Sequence, residues 1–359
     1  MSSSRLIKFE CKKQITSFTF IIVIILLTVF AITQFGEIFH LPVNSESDIQ
    51  ALDRSGERDY IFVPNTDAEL KSNSVDFLRQ KISEGTISAD MAEQFESVIE
   101  MLTDDSYTFD DIFAAMKDDE LVFPWLGACR AQFAARFGSI DEVNSNLQYT
   151  LGNKGYSPNF YTKYVTYMQA IAAFLIFPIF LLLFTRDYRH NMYEVIYMQP
   201  SSPTKYILCR FFGAFIPLAA YLYLFGLILN FISIVRFVGT GYEFSYTPFI
   251  TYYCFYLLPT IFFLSCLIML LMLLINKAVA VFPIYIIYVI FNVTPAVFSY
   301  GGDWIKTINP IIRLDTEIAG IGAIAINRMG YLILGIILLL ASCKCYKKLR
   351  HNLRKGITI

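Results

Sequence analysis

Charge is scarce in this sequence. Asp, Glu, Lys and Arg make up 16% of its 359 residues, against roughly 25% in soluble domains. Hydrophobic residues reach 55% and the mean hydropathy is +0.50. Together these values exclude a purely soluble chain, and equally a fibrous or disordered one. Histidine is scarcer still: His40, His190 and His351 all lie outside the long apolar runs. No His-Glu-x-x-His pair, paired aspartates or Ser/His arrangement can be placed at membrane depth, which argues against intramembrane hydrolysis. His190 reads as a surface loop residue. No G-x-x-x-x-G-K-S/T stretch occurs either, so the chain cannot bind ATP through a phosphate loop of its own. Of seven cysteines only Cys129 falls between residues 36 and 162, so that stretch is held by its core without an internal disulfide. This usage suits a bacterial envelope. Cys343-x-Cys345 has no companion ligands for a metal and reads as two interfacial thiols.

The apolar residues are gathered into runs. A helix needs roughly 20 of them to cross a bilayer, and six runs qualify or nearly so: 15–35, 163–184, 211–235, 251–275, 279–298 and 330–342, the last extending a few residues at each end. The first follows a basic start and is long for a signal peptide. Ala31-Ile32-Thr33 is a poor cleavage site, so an anchor is expected. Asn276-Lys277-Ala278 is a tight turn that makes the fourth and fifth runs a helical hairpin. Pro178, Pro217, Pro259 and Pro283 fall inside runs, where neighbouring helices can satisfy the freed carbonyls. Bases cluster at the N-terminal stretch, in 185–210, at Lys277 and in the tail 347–359. With six crossings all four segments fall on one side, which the charge rule makes the cytoplasm. The expected fold class is an all-α polytopic membrane protein with six transmembrane helices, both termini cytoplasmic, in the cell membrane. Residues 299–329 then connect the last two crossings on the far side.

Residues 36–162 are different in kind. They hold 23 acids and nine bases, a balance of −14, while the rest of the chain carries +13. An acidic domain of this sort repels phosphates, which excludes nucleic acid as a partner. Capping boxes at Thr66-x-x-Glu69 and Ser139-x-x-Glu142, with a related Thr108-x-x-Asp111, predict helix starts. Pro124 suits a first helical turn, and Gly138 and Gly152 suit left-handed helix ends. Met91, Phe95, Val98, Ile99 and Leu102 follow helical spacing. Tyr60-Ile61-Phe62-Val63 is the one expected strand, among four or five short helices. The acids at Asp104-Asp105, Asp110-Asp111 and Asp118-Asp119-Glu120 lack the alternation and central glycine of a calcium loop and read as solvated helix-start residues.

The six runs contain no Glu, Asp, His or Lys in their interiors as drawn. Ion-coupled carriers generally keep such groups at depth, so an internal energy source is missing. The loop 185–210 then becomes the informative stretch. A short helix from Arg189 to Met198 places Met192, Val195 and Ile196 on one face, with Arg189 and Glu194 away from it. Pro200 stops that helix, and Ser201-Ser202-Pro203 restarts another with Ser202 as cap. A rigid amphipathic helix between two crossings is suited to pass motion from a docked partner.

This loop resembles that of ABC-2 type transporter permeases, in which a coupling helix lies between the second and third crossings. Glu194, Ile196, Pro200, Ser201 and Lys205 match the acidic, apolar, turn and lysine positions of that pattern. The basic start with Arg5, Lys8, Lys12 and Lys13 over residues 1–14 resembles the interfacial helix that precedes the first crossing in the family. Residues 36–162 match no module of it, although a large extracellular domain occurs in a subset. The resemblance implies a permease subunit moving an amphiphilic substrate such as a peptide or lipid-like molecule. Arg186, Asp187, Arg189, Met192, Glu194, Val195, Ile196, Pro200, Ser201 and Lys205 would form the ATPase-coupling loop. It implies cytoplasmic ABC ATPase subunits as partners, ATP and Mg held there, a second or related permease copy, contact with membrane lipids, and no cofactor on this chain. The competing expectation is a non-transporting membrane sensor or scaffold whose extracellular domain binds an envelope ligand.

Overall fold

The computed structural model describes residues 3–87, 89–189, 202–243, 247–298, 308–312 and 321–354. The chain divides into two compact units, one of residues 1–39 with 153–359 and one of residues 40–152. Residues 36–39 and 153–162 thus belong with the first unit.

The first unit is a bundle of apolar helices. Helix α1 (Ser3–Ile15) meets α2 (Phe18–Gln34) at a bend of 65°. The break falls where Ser17 caps α2 by accepting from the Phe20 amide. After a short turn at Gly36–Phe39 and the second unit come two long helices, α9 (Ser157–Arg189) and α10 (Pro203–Phe237). Then follow α11 (Thr247–Tyr252), a π turn (Tyr253–Leu257), α12 (Leu258–Ile275), α13 (Ala278–Phe298) and α14 (Ile321–Arg354). Four stretches among the described residues are long and apolar enough to cross a membrane: Ser157–Leu183, Pro203–Phe237, Pro248–Ile275 and Gly322–His351. The bent α1–α2 pair makes a fifth if counted as one, and Ala278–Thr294 is a shorter apolar helix.

Local sequence accounts for several boundaries. Asn276 ends α12 in the left-handed conformation (φ 56°), a state asparagine tolerates better than most residues, and α13 starts two residues later. Pro203 sits in the first turn of α10 with Ser202 before it, although Ser202 makes no side-chain capping bond. Pro178 and Pro217 lie inside helices. Pro259 instead occupies the first turn of α12, where the preceding π turn accommodates the hydrogen bond that proline cannot donate.

The second unit holds α3 (Glu46–Ser55), β1 (Phe62–Pro64), α4 (Asp67–Ser83), α5 (Ala89–Thr103), α6 (Phe109–Ala115), α7 (Phe123–Phe133), β2 (Ala135–Phe137) and α8 (Ile140–Leu151). Helices α4 to α7 enclose Leu78, Phe95, Phe109, Leu126 and Cys129, all fully buried. All three predicted capping boxes form, with both reciprocal bonds present at each. Pro124 lies in the first turn of α7. Lys71 is buried yet satisfied, donating to the Asp104 and Tyr107 carbonyls at 2.8 Å each. The paired acids mostly act locally: Asp111 closes a capping box, Asp104 accepts from the Ser106 amide, and Asp119 from the Leu121 and Val122 amides.

Three expectations fail here. The described residues contain six α-helices in this unit rather than four or five. The strand at 60–63 starts later and has an unforeseen partner, β2, in antiparallel register Val63↔Arg136. Gly138 does not end a helix. It follows β2, and a Cβ on it would stand 2.8 Å from Val63 Cγ1 and 3.0 Å from Val143 Cγ2, so glycine is needed for close approach. Gly152 does end α8 with positive φ (59°), but its ψ of −145° lies outside the left-handed helical region.

Glu142 links sheet and helix. It receives two bonds from Arg136, at 2.6 and 3.1 Å, and further ones from the Ser139 amide and hydroxyl. Those donors, Arg136 foremost, pull its carboxyl from the ordinary 4.5 to about 2. A depressed carboxyl stabilises the fold above its unfolded value and loses that contribution as pH falls toward the folded value. We expect acid unfolding of this unit to steepen between pH 4.5 and about 2, and Glu142→Gln to reduce that pH dependence, with Glu69, Glu84, Asp104 and Asp111, also lowered, supplying the rest. Trp125 fluorescence in a Trp304→Phe background reads it, and an unchanged slope in Glu142→Gln would refute the assignment.

Candidate functional site

The most unusual group in the bundle is Arg328, in the second turn of α14 and 1% exposed. A buried guanidinium in an apolar helix is costly unless its donors find acceptors, so its surroundings matter. Its Nε donates to Asn327 Oδ1 at 3.0 Å, and Nη2 donates to the same oxygen at 2.6 Å and to the Pro310 and Asn309 carbonyls at 2.9 and 3.2 Å. Nη1 donates to Thr260 Oγ1 at 2.7 Å, with longer contacts to the Tyr256 carbonyl and Gln169 Oε1. The Tyr331 ring lies 5.8 Å away. Every partner is neutral. Its hydrogen bonds are satisfied, and among the described residues no carboxylate pairs with this guanidinium.

The same groups hold residues 308–312. Thr260 Oγ1 lies 2.8 Å from the Pro310 carbonyl, Gln169 Oε1 accepts from the Ile312 amide, and Asn309 Nδ2 donates to the Asn292 carbonyl at 2.6 Å. Asn309, Pro310, Ile311 and Ile312 are buried. Gln169 lies twelve residues along α9 from Ser157, about 18 Å at 1.5 Å per residue. Thr260 lies in the first turn of α12, and Asn292 in the last third of α13. Residues 308–312 therefore pack against α9, the start of α12 and the last third of α13. Within the stretch 299–329, Arg328 and residues 309–312 are buried in the bundle, while Ile308, Ile326 and Met329 are exposed. The interiors of the apolar runs do lack Glu, Asp, His and Lys, Lys163 standing at the edge of the second. The helix carrying the last run, however, begins nine residues before Gly330 and brings an arginine with it.

A second buried polar group stands at the junction of α2 and α9. Glu37 is fully buried and accepts from Lys163 Nζ at 2.8 Å and from the Tyr156 hydroxyl. The Lys163 ammonium lies 5.8 Å from both the Phe35 and Tyr167 rings. Among the described residues no three His, Cys, Asp or Glu side chains gather as a metal site.

The residues singled out in the sequence fall elsewhere. Arg5, Lys8, Lys12 and Lys13 are exposed on α1, while Leu6, Ile7, Glu10, Cys11 and Gln14 form its partly buried face. That face packs on α10, where a Cβ at Gly213 would overlap the Glu10 Cβ and stand 3.2 Å from the Glu10 carbonyl carbon. Cys209 Sγ reaches the Ser3 carbonyl at 3.8 Å. A cavity of about 20 Å³ in this corner is lined by Glu10, Gln14, Ser17, Pro178 and Arg210. Lys205 lies in the first turn of α10, and Tyr206 there stacks on Tyr346 of α14 at 5.7 Å. Arg186, Asp187 and Arg189 lie in the last turn of α9. Met192, Glu194, Val195, Ile196, Pro200 and Ser201 lie outside the described residues.

Sequence reasoning missed Arg328, Gln169, Asn309 and Asn327. A base beside an apolar run is the ordinary mark of a membrane boundary, and lone amides carry no motif. Comparison with known protein families, with characterised proteins and with solved structures finds no match for this chain.

Proposed function

We propose that this chain is the permease subunit of an ATP-driven transporter of the ABC-2 type, moving an amphiphilic substrate across the cell membrane. In this reading it crosses the membrane six times, with both termini and the loop 185–210 in the cytoplasm and residues 40–152 outside. Separate ATPase subunits supply the energy, and two permease copies or related chains pair. The observation that carries the reading is the joint at the start of α10. Helix α10 begins nine residues after Glu194, and within its first three turns it receives α1 at Gly213 and α14 at Tyr206. A push on that loop would therefore reach the N-terminal helix and the last helix together. The missing phosphate loop agrees with energy arriving from a partner.

Purification under mild conditions should retain an ATP-hydrolysing subunit. Glu194→Lys should leave expression and assembly intact while ATP turnover of the complex falls about tenfold. Unchanged turnover in an assembled complex would remove the coupling role of Glu194. A fully active chain with no nucleotide-hydrolysing companion would favour the sensor or scaffold.

A further inference from the structure

Two observations place an unmet demand for negative charge beside α14. The first is the Arg328 cation, buried with only neutral partners among the described residues. The second is Gln169, which is fully buried. Its Oε1 faces two N–H donors, the Ile312 amide and Arg328 Nη1, and lies 3.1 Å from the Thr260 hydroxyl. Its Nε2 has no acceptor among the described residues. Turning the amide over would set nitrogen against the two N–H donors, the Ile312 amide and Arg328 Nη1. The cluster is therefore rich in donors and positively charged.

Immediately beside it runs an open groove of about 480 Å³, within the range of small-molecule sites. Ile308, Ala323, Ile326, Gly330 and Leu334 make it apolar, and Asn327 and Tyr331 are its polar members. Those two residues also touch the cation, Asn327 through Oδ1 and Tyr331 through its ring. The apolar channel and the charge thus share a wall.

We propose that the groove binds an anionic phospholipid, with one hydrocarbon chain along α14 and the phosphate drawn toward Asn327 by the charge of Arg328. The occupant is chosen by charge complementarity. A zwitterionic lipid fills the channel equally well but leaves the cation uncompensated. The inference rests on the reading of α14 as a membrane helix and not on transport, since binding needs neither nucleotide nor an ATPase partner.

The test uses the purified full chain in detergent with dioleoyl phosphatidylglycerol or phosphatidylcholine at equal concentration. Retained lipid is counted by native mass spectrometry and the thermal midpoint is followed alongside. Phosphatidylglycerol is expected to be retained about fivefold over phosphatidylcholine, the preference one nearby cation supplies. Arg328→Gln should bring the ratio to about one and Arg328→Lys should keep most of it. Gly330→Leu builds a side chain where a Cβ meets nothing within 4 Å, so it fills the groove without disturbing the fold. It should abolish retention with Arg328 still present, and it decides the matter if Arg328→Gln does not fold. Neutralising Arg5, Lys8, Lys12 and Lys13 should leave the preference intact. Equal retention of the two lipids by the native chain overturns the proposal. So does a preference that survives both Arg328→Gln and Gly330→Leu, or one lost only on neutralising α1. A thermal shift reproduced by inorganic phosphate alone would mark an anion site without a lipid and equally overturn it.

Discussion

Gly213→Val is expected to lift α1 off α10. A branched side chain at 213 overlaps the Glu10 Cβ and approaches the backbone behind it, so the neighbour cannot yield by rotating a side chain. The helix itself is not the weak point, because valine is a better helix former than glycine. The contact between the two helices must therefore give way. Cys209, 5% exposed and 3.8 Å from the Ser3 carbonyl, should become open to alkylation, with labelling at that peptide rising about tenfold or more. Gly322→Val, where a Cβ meets nothing within 4 Å, should leave the labelling unchanged. Under the proposed function the same variant should uncouple ATP turnover from the substrate while the bundle stays folded. Native-like protection of Cys209 in Gly213→Val would show that α1 is not held by this contact.

Lys163→Met should be the most damaging single change at the other end of the bundle. It removes the ammonium that lies 2.8 Å from the fully buried Glu37 carboxylate, to which the Tyr156 hydroxyl still donates. Removing one member of a buried pair costs about 3–5 kcal/mol, because the remaining charge keeps its desolvation penalty. A fall in the thermal midpoint on the order of 10 °C follows for a chain of this size. Adding Glu37→Gln to Lys163→Met should recover most of the loss, since the double variant buries no charge. Two single variants with independent, additive losses would show that the pair does not act as a unit.

Features whose cause lies within a few residues were legible. Thr66 with Glu69, Thr108 with Asp111 and Ser139 with Glu142 predict capping boxes because both partners sit one helical turn apart, and all three form. Asn276 marks the end of α12 for the same reason. Strand β2 was not legible: three residues carry no period, and its partner lies 73 positions earlier in the chain. The residues named for coupling fall largely outside the described structure, while those that draw attention in it carry no local signal.

Composition and hydropathy alone determined that this is a helical protein with stretches able to cross a membrane, an acidic insertion, and no phosphate loop of its own. These are sums and periods along the chain, and folding does not alter them. Only the tertiary structure decided that Arg328 is an interior cation, that residues 309–312 are buried against α9, α12 and α13, and that Gly213 is the seat of α1. The reason is physical. Whether a base beside an apolar run faces water or a ring of carbonyls depends on which distant segments pack against it, and Gln169, Thr260, Pro310 and Arg328 meet only after α9, α12 and α14 have come together.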